Sequence, residues 1–199
     1  MSFNHHGDIC LTIWSDAYAS GEIIFPRNAR VLEVGCAEAD WMTPMKALRS
    51  DLEITGVDWR HVKNRPATII KGDILEQTFP PASFDVVVGI SSIEHIGLGH
   101  YEADPKADSG DIRCMELVRD WLAPGGWAYL DVPYNAEGYH VRGTKCRIYD
   151  DAALASRLVP HGMREVRRWY ANRAGNVVPS VEPRALPDFD YVALLLQRV

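Results

Sequence analysis

Short runs of apolar, β-branched residues alternate with amphipathic stretches along the 199-residue chain. That alternation predicts an α/β, doubly wound fold: a mostly parallel sheet with helices on both faces. The first run, Arg30-Val31-Leu32-Glu33-Val34-Gly35, ends at a glycine and reads as a buried strand. Residues 41–49 follow with helical spacing of Trp41, Met45 and Leu48. Pro44 falls in the first turn, where its missing N–H is harmless, and Asp40 is placed to cap. Further strands are expected at 53–57, 68–71 and 84–90, the last so apolar that it should be central. Residues 111–122 put Ile112, Met115, Val118 and Leu122 on one side of a helix. The turn Ala123-Pro124-Gly125-Gly126 leads into a strand at 127–132, stopped by Pro133. A helix at 150–158 and strands at 164–170 and 191–197 complete the pattern.

The chain reads as a single domain, 1–199, in which residues 1–29 form an N-terminal extension with no assigned element. Residues 97–110 and 134–149 also fit no element. Both follow sheet strands, so both should emerge at the C-terminal edge of the sheet, where open α/β sheets bind ligands. Unstructured stretches of that length in a compact domain are expected to be active-site loops.

Composition narrows the function. The chain is 47% hydrophobic and 24% charged, as soluble globular proteins are, and its net charge of −6 argues against a primary role on nucleic acid. Arg164, Arg167, Arg168 and Arg173 read as a solvated face. Cys10, Cys36, Cys114 and Cys146 lack paired C-x-x-C spacing, so free thiols in a reducing, cytoplasmic setting are expected and zinc is not. Asp104, Asp108 and Asp111 read as solvating a loop, and no metal is expected. No apolar run approaches a membrane span. The expected partner is a small molecule, neither nucleic acid nor membrane.

The candidate chemistry lies at the strand ends. The first strand ends Gly35-Cys36-Ala37-Glu38-Ala39, the second at Asp58 with Trp59 next, the third at Gly72-Asp73-Ile74, and the fourth leads into Ser91-Ser92-Ile93-Glu94-His95. Successive βα units should bring these ends to one crevice. A tight turn of small residues before a helix presents backbone N–H groups. An acid at the second strand can accept both hydroxyls of a ribose diol. Asp73 can accept from an exocyclic amine, and Trp59 can cover an adenine face. Glu33, a charge inside an apolar strand, is costly unless it has a role.

In these motifs the chain resembles the class I S-adenosylmethionine-dependent methyltransferases over residues 30–133. The family's acidic residue and G-x-G-x-G loop match Glu33 and Gly35, with Ala37 and Ala39 in place of the later glycines. Its second-strand acid matches Asp58, its G-D Gly72-Asp73, its F-D-x-V Phe84-Asp85-Val86-Val87, its E-H Glu94-His95, and its L-x-P-G-G Leu122-Ala123-Pro124-Gly125-Gly126. The resemblance implies a seven-stranded sheet with an antiparallel last strand. It implies S-adenosylmethionine as cofactor, with contacts from Glu33, Gly35, Cys36, Ala37, Trp41, Asp58, Trp59, Asp73, Ile74 and Ser91. The stretch 91–99, with Arg147-Ile148-Tyr149-Asp150, is similar to a small-molecule, glycan-associated bacterial group.

His95 is the catalytic candidate, since an imidazole suits proton removal at neutral pH. His100, Tyr101, Tyr134, His140, Lys145, Arg147 and Tyr149 form the candidate acceptor pocket, with Lys145 and Arg147 suited to an anionic group. The expected activity is methyl transfer to a small polar acceptor such as a sugar hydroxyl. A non-catalytic methyltransferase-like module is the alternative. An NAD-dependent oxidoreductase would need G-x-G-x-x-G after the first strand, and only its first glycine is present.

Overall fold

The computed structural model describes residues 6–37, 40–99, 108–172, 176–180 and 190–199. Helix α1 (His6–Ala19) comes first, where the sequence pattern had placed an extension without structure. Its buried residues Cys10, Ile13, Trp14 and Ala17 lie at i, i+3, i+4 and i+7, the spacing of one helix face. Trp14 locks the helix down, with its ring 5.0 Å from both Trp41 and Tyr129.

The parallel strands follow: β1 (Arg30–Val34), β2 (Glu53–Asp58), β3 (Thr68–Lys71), β4 (Phe84–Ile90) and β5 (Leu122–Pro133). Helix α2 (Met42–Leu48) links β1 to β2, and α3 (Gly110–Trp121) precedes β5. A hairpin, β6 (His140–Arg142) with β7 (Cys146–Ile148), occupies part of the stretch read as a loop. Then come α4 (Asp151–Ala153), continued by a π turn over Leu154–Leu158, and β8 (Met163–Ala171), β9 (Val177–Ser180) and β10 (Tyr191–Arg198). Among the described residues one sheet runs β3-β2-β1-β4-β5-β10-β8-β9. The seven expected strands are all in it, β10 antiparallel to β5 and β8, and β9 extends the edge.

Side chains alternate between two cores. Val31, Ile54, Val86, Val88 and Ile90 face α1 and α2, while Leu32, Val34, Val87, Leu130 and Val132 face α3 and the π turn. Both faces are covered, which is why these strands read as continuous apolar runs. The Ala123–Gly126 turn survives as a bulge in β5, because Phe84 pairs with Leu122 but Val86 pairs with Trp127. The link from β2 to β3, residues 59–67, carries no helix. Among the described residues no helix is long and apolar enough to cross a membrane.

Candidate functional site

The strand order reverses beside β1: the chain moves outward to β2 and β3, then returns to place β4 on the other flank. Ligands bind at such a switch point, at the carboxyl ends of the strands. Gly35 ends β1 there with φ +78°. A Cβ at this position would overlap the Cβ of Ser92, at the end of β4, and sit 3.2 Å from its Oγ. Glycine is therefore required twice over, by conformation and by close approach. Ala37 has no such need, as its φ is not in the left-handed region. Its N–H donates to Asp58 Oδ2 (2.9 Å) and its carbonyl accepts from Arg65 (3.4 Å), so the loop is braced on both sides without a second glycine. Glu38 and Ala39 lie outside the described residues.

Asp58 is buried and fully engaged. Oδ1 accepts from the backbone N–H of Arg60 (2.8 Å) and its Nε (3.1 Å), while Oδ2 accepts from Ala37 and from Arg60 Nη2 (3.3 Å). Trp59 beside it is half-buried. Asp73 is buried and caps a short 3-10 turn, Ile74–Glu76, by accepting from Leu75 N–H (2.8 Å). Ile74 packs into the core.

Glu33 is 0% exposed, and among the described residues neither carboxylate oxygen has a hydrogen-bond partner. Burial pushes its carboxyl well above the usual range; the Trp41 indole and the Arg65 guanidinium pull it back in part. Cys36 is buried over Gly56 of β2, and burial raises its thiol to about 12, so it acts as a packing residue and is not a reactive thiol.

At the end of β4, Ser91 turns through φ +49°. Its N–H donates to Asp131 Oδ1 (2.9 Å) and its hydroxyl to Glu94 Oε1 (3.1 Å). Both carboxyls are 0% exposed. Asp131 is pushed up to about 8, chiefly by burial, with the Cys10 thiol of α1 opposing and Glu94 adding to the shift. The sequence reading missed Asp131, although a lone acid in the apolar run 127–132 carries the same signal as Glu33. It also missed the two arginines, Arg60 and Arg65, of the helix-free link.

His95 follows in a 3-10 turn, Ile93–His95. Its Nδ1 bonds the backbone carbonyl of Lys145, and its Nε2 lies 3.5 Å from Glu94 Oε1. The β6–β7 hairpin thus reaches the end of β4 through its main chain.

The expected acceptor pocket divides. His140 and Lys145 are exposed on the hairpin. Arg147 is 0% exposed and donates to the carbonyls of Ile96 (2.7 Å) and Asp108 (3.2 Å), beside Asp111. Tyr149 is buried and donates to Asp111 Oδ2 (3.0 Å); Tyr134 is buried and donates to Asp151 Oδ2 (3.2 Å). These three polar groups serve the interior, so Arg147 is not presented to an anionic ligand. His100 and Tyr101 lie outside the described residues. Of the arginines read as one solvated face, Arg168 is buried against Glu165 and Tyr170, Arg167 pairs with Glu22, and Arg173 lies outside the described residues.

A family described as methyltransferase domain matches residues 15–180. No curated protein sequence matches the chain. Several solved structures share its fold. A 1,6-didemethyltoxoflavin N1-methyltransferase from Burkholderia thailandensis, bound to its substrate and S-adenosylhomocysteine, aligns with TM-score 0.64 at 13% identity, covering 98% of this chain and 89% of that one. Coclaurine N-methyltransferase, bound to N-methylheliamine and S-adenosylhomocysteine, gives 0.63 at 9%, covering 95% and 72%. The cyclase SpnF gives 0.63 at 16%, covering 93% and 80%. At these identities the likeness is one of fold, and a fold hosts more than one chemistry.

Proposed function

Because the chain belongs to the methyltransferase-domain family and is an S-adenosylmethionine-dependent methyltransferase, we propose that it methylates a hydroxyl of a small polar acceptor, a sugar or related metabolite, with His95 as the base. The observation that carries this reading is the anchoring of His95. A carbonyl oxygen only accepts, so the Lys145 carbonyl places the ring proton on Nδ1 and, in the neutral ring, the lone pair on Nε2. In this reading the basic nitrogen follows the end of β4 and lies 3.5 Å from Glu94 Oε1.

The residues present fit the cofactor. Asp58 already receives two side-chain N–H donors, one on each oxygen, in the manner a vicinal diol would offer two O–H donors. In this reading Gly35 and Ala37 give the backbone of the cofactor loop, Asp58 takes the ribose, Asp73 and Trp59 serve the adenine, and Ser91 borders the reacting end. Glu33, Cys36, Trp41 and Ile74 are buried and shape these groups from beneath. When bound, the cofactor supplies a methyl group already activated by its positive sulfur. What remains for the protein is to orient the acceptor, worth up to roughly 7–11 kcal/mol in well-aligned systems, and to remove the hydroxyl proton. His95 Nε2 performs the second task, a contribution of about 10²–10⁴-fold.

Calorimetric titration with S-adenosylhomocysteine tests the cofactor site: micromolar binding by wild type, abolished in Asp58→Ala, is expected. A panel of sugars, nucleotide sugars, phenols and small acids then identifies the acceptor. On that acceptor His95→Ala should lose more than tenfold in transfer with S-adenosylhomocysteine affinity unchanged, and a smaller loss refutes the base role. Lys145→Ala, which keeps the carbonyl, should leave transfer intact.

A further inference from the structure

The four bonds to Asp58 are not equivalent. Each oxygen holds one backbone N–H, Arg60 at 2.8 Å on Oδ1 and Ala37 at 2.9 Å on Oδ2. Each also holds one side-chain N–H of Arg60, Nε at 3.1 Å and Nη2 at 3.3 Å. The short pair is main chain and sets the carboxylate's orientation. The longer pair occupies the acceptor positions that remain, since a carboxylate oxygen offers two. The Asp58 side chain is only 4% exposed, whereas that of Arg60 is 35% exposed. Arg60 therefore stands on the solvent side of the acceptor positions that a diol would use on Asp58, at the start of the link that carries no helix.

We propose that Arg60 is a built-in competitor for the cofactor: its guanidinium fills the diol seat on Asp58, and the ribose binds by displacing it. This rests on the reading of Asp58 as the ribose acid. The two backbone bonds stay in place when the side chain leaves, so the carboxylate remains aimed while the longer, side-chain pair is exchanged. The guanidinium moves toward water, where it is readily hydrated. Arg60 is thus a residue that lowers cofactor affinity by competing for the same acceptor oxygens of Asp58.

The test is titration of the whole chain with S-adenosylhomocysteine, comparing wild type, Arg60→Ala and Arg60→Lys. A partly exposed ion pair contributes up to about 1 kcal/mol, so Arg60→Ala should bind roughly two- to fivefold more tightly. Arg60→Lys, a point charge without the planar fork, should fall between. S-adenosylhomocysteine is zwitterionic with no net charge, whereas the Arg60–Asp58 pair weakens with ionic strength. Added sodium chloride should therefore tighten binding to wild type and leave Arg60→Ala unchanged. The gain in Arg60→Ala should shrink with the 2′-deoxy analogue, which keeps one hydroxyl of the diol and displaces one arginine donor fewer. Equal or weaker binding by Arg60→Ala, with wild-type binding intact, overturns the competition but leaves the cofactor site standing. No binding by a folded wild type, as judged by a cooperative thermal transition, overturns both.

Discussion

Gly35→Ala separates two costs that coincide at the end of β1. The first is conformational. At φ +78° an alanine adopts the left-handed region, which costs about 1–2 kcal/mol. The second is steric. The new methyl would overlap the Ser92 Cβ, far inside the ~3.5–4.0 Å optimum for carbon pairs, and Ser92 is fixed at the end of a central strand. Overpacking of this kind costs about 1–3 kcal/mol. The sum is about 2–5 kcal/mol, which for a chain of this size lowers Tm by roughly 4–20 °C. Gly21→Ala supplies the control, since Gly21 has φ +77° but nothing within 4 Å of its Cβ position. It should show the conformational cost alone. Urea unfolding of both variants, with m-values checked for constancy, isolates the steric part as their difference. The overlap also pushes the β1 loop away from β4, so Gly35→Ala should lose S-adenosylhomocysteine binding while Gly21→Ala keeps it. If the two variants are equally stable and bind equally well, the close approach of Gly35 to Ser92 has no energetic meaning and the account of this turn fails.

Three further outcomes are expected. Asp131 holds its proton up to about pH 8 in the folded state, against an ordinary carboxylate in the unfolded chain. Between about pH 4 and pH 8 the folded state thus binds more protons, and this group's contribution to stability falls as pH rises. Asp131→Asn removes the ionisation, so relative to wild type it should gain several kcal/mol from about pH 4 to about pH 8 in denaturant titrations; a pH-independent difference would count against a buried, neutral carboxyl. Arg147→Met strands the buried Asp111 with one arginine fewer, and should cost about 3 kcal/mol in urea unfolding. Tyr149→Phe deletes one buried bond to Asp111 and should cost about 1–3 kcal/mol while leaving methyl transfer and acceptor KM unchanged, whereas a raised KM would restore Tyr149 to the acceptor pocket.

Much of the architecture is legible in local pattern. The runs 30–34 and 84–90 are apolar on both faces because both faces are covered, and period and composition suffice to place them. Gly35 and Asp58 are legible because turn geometry and strand-end chemistry restrict the residue types there. Other features depend on partners remote in sequence. Arg147 and Tyr149 look like pocket residues in isolation, and only the fold reveals that Asp111, nearly forty residues away, claims both. Helix α1 carried its i, i+3, i+4, i+7 signal openly, yet Leu11 and Tyr18 spread its apolar surface beyond that stripe, and its place is decided by the Trp14 contacts. The β6–β7 hairpin has three-residue strands and exposed side chains in β6, so tertiary contact selects it more than propensity does.

The position of β10 bears on how the molecule comes together. It is the last strand in sequence but lies between β5 and β8 in the sheet, bonded on both sides. The parallel half, β1 to β5, can therefore form while the ribosome is still making the rest. Strands β8 and β9 pair with each other and join the rest of the sheet only through β10. The edge of β5 is thus covered by β10 alone, and a chain lacking β10 would leave that edge open to a competing strand.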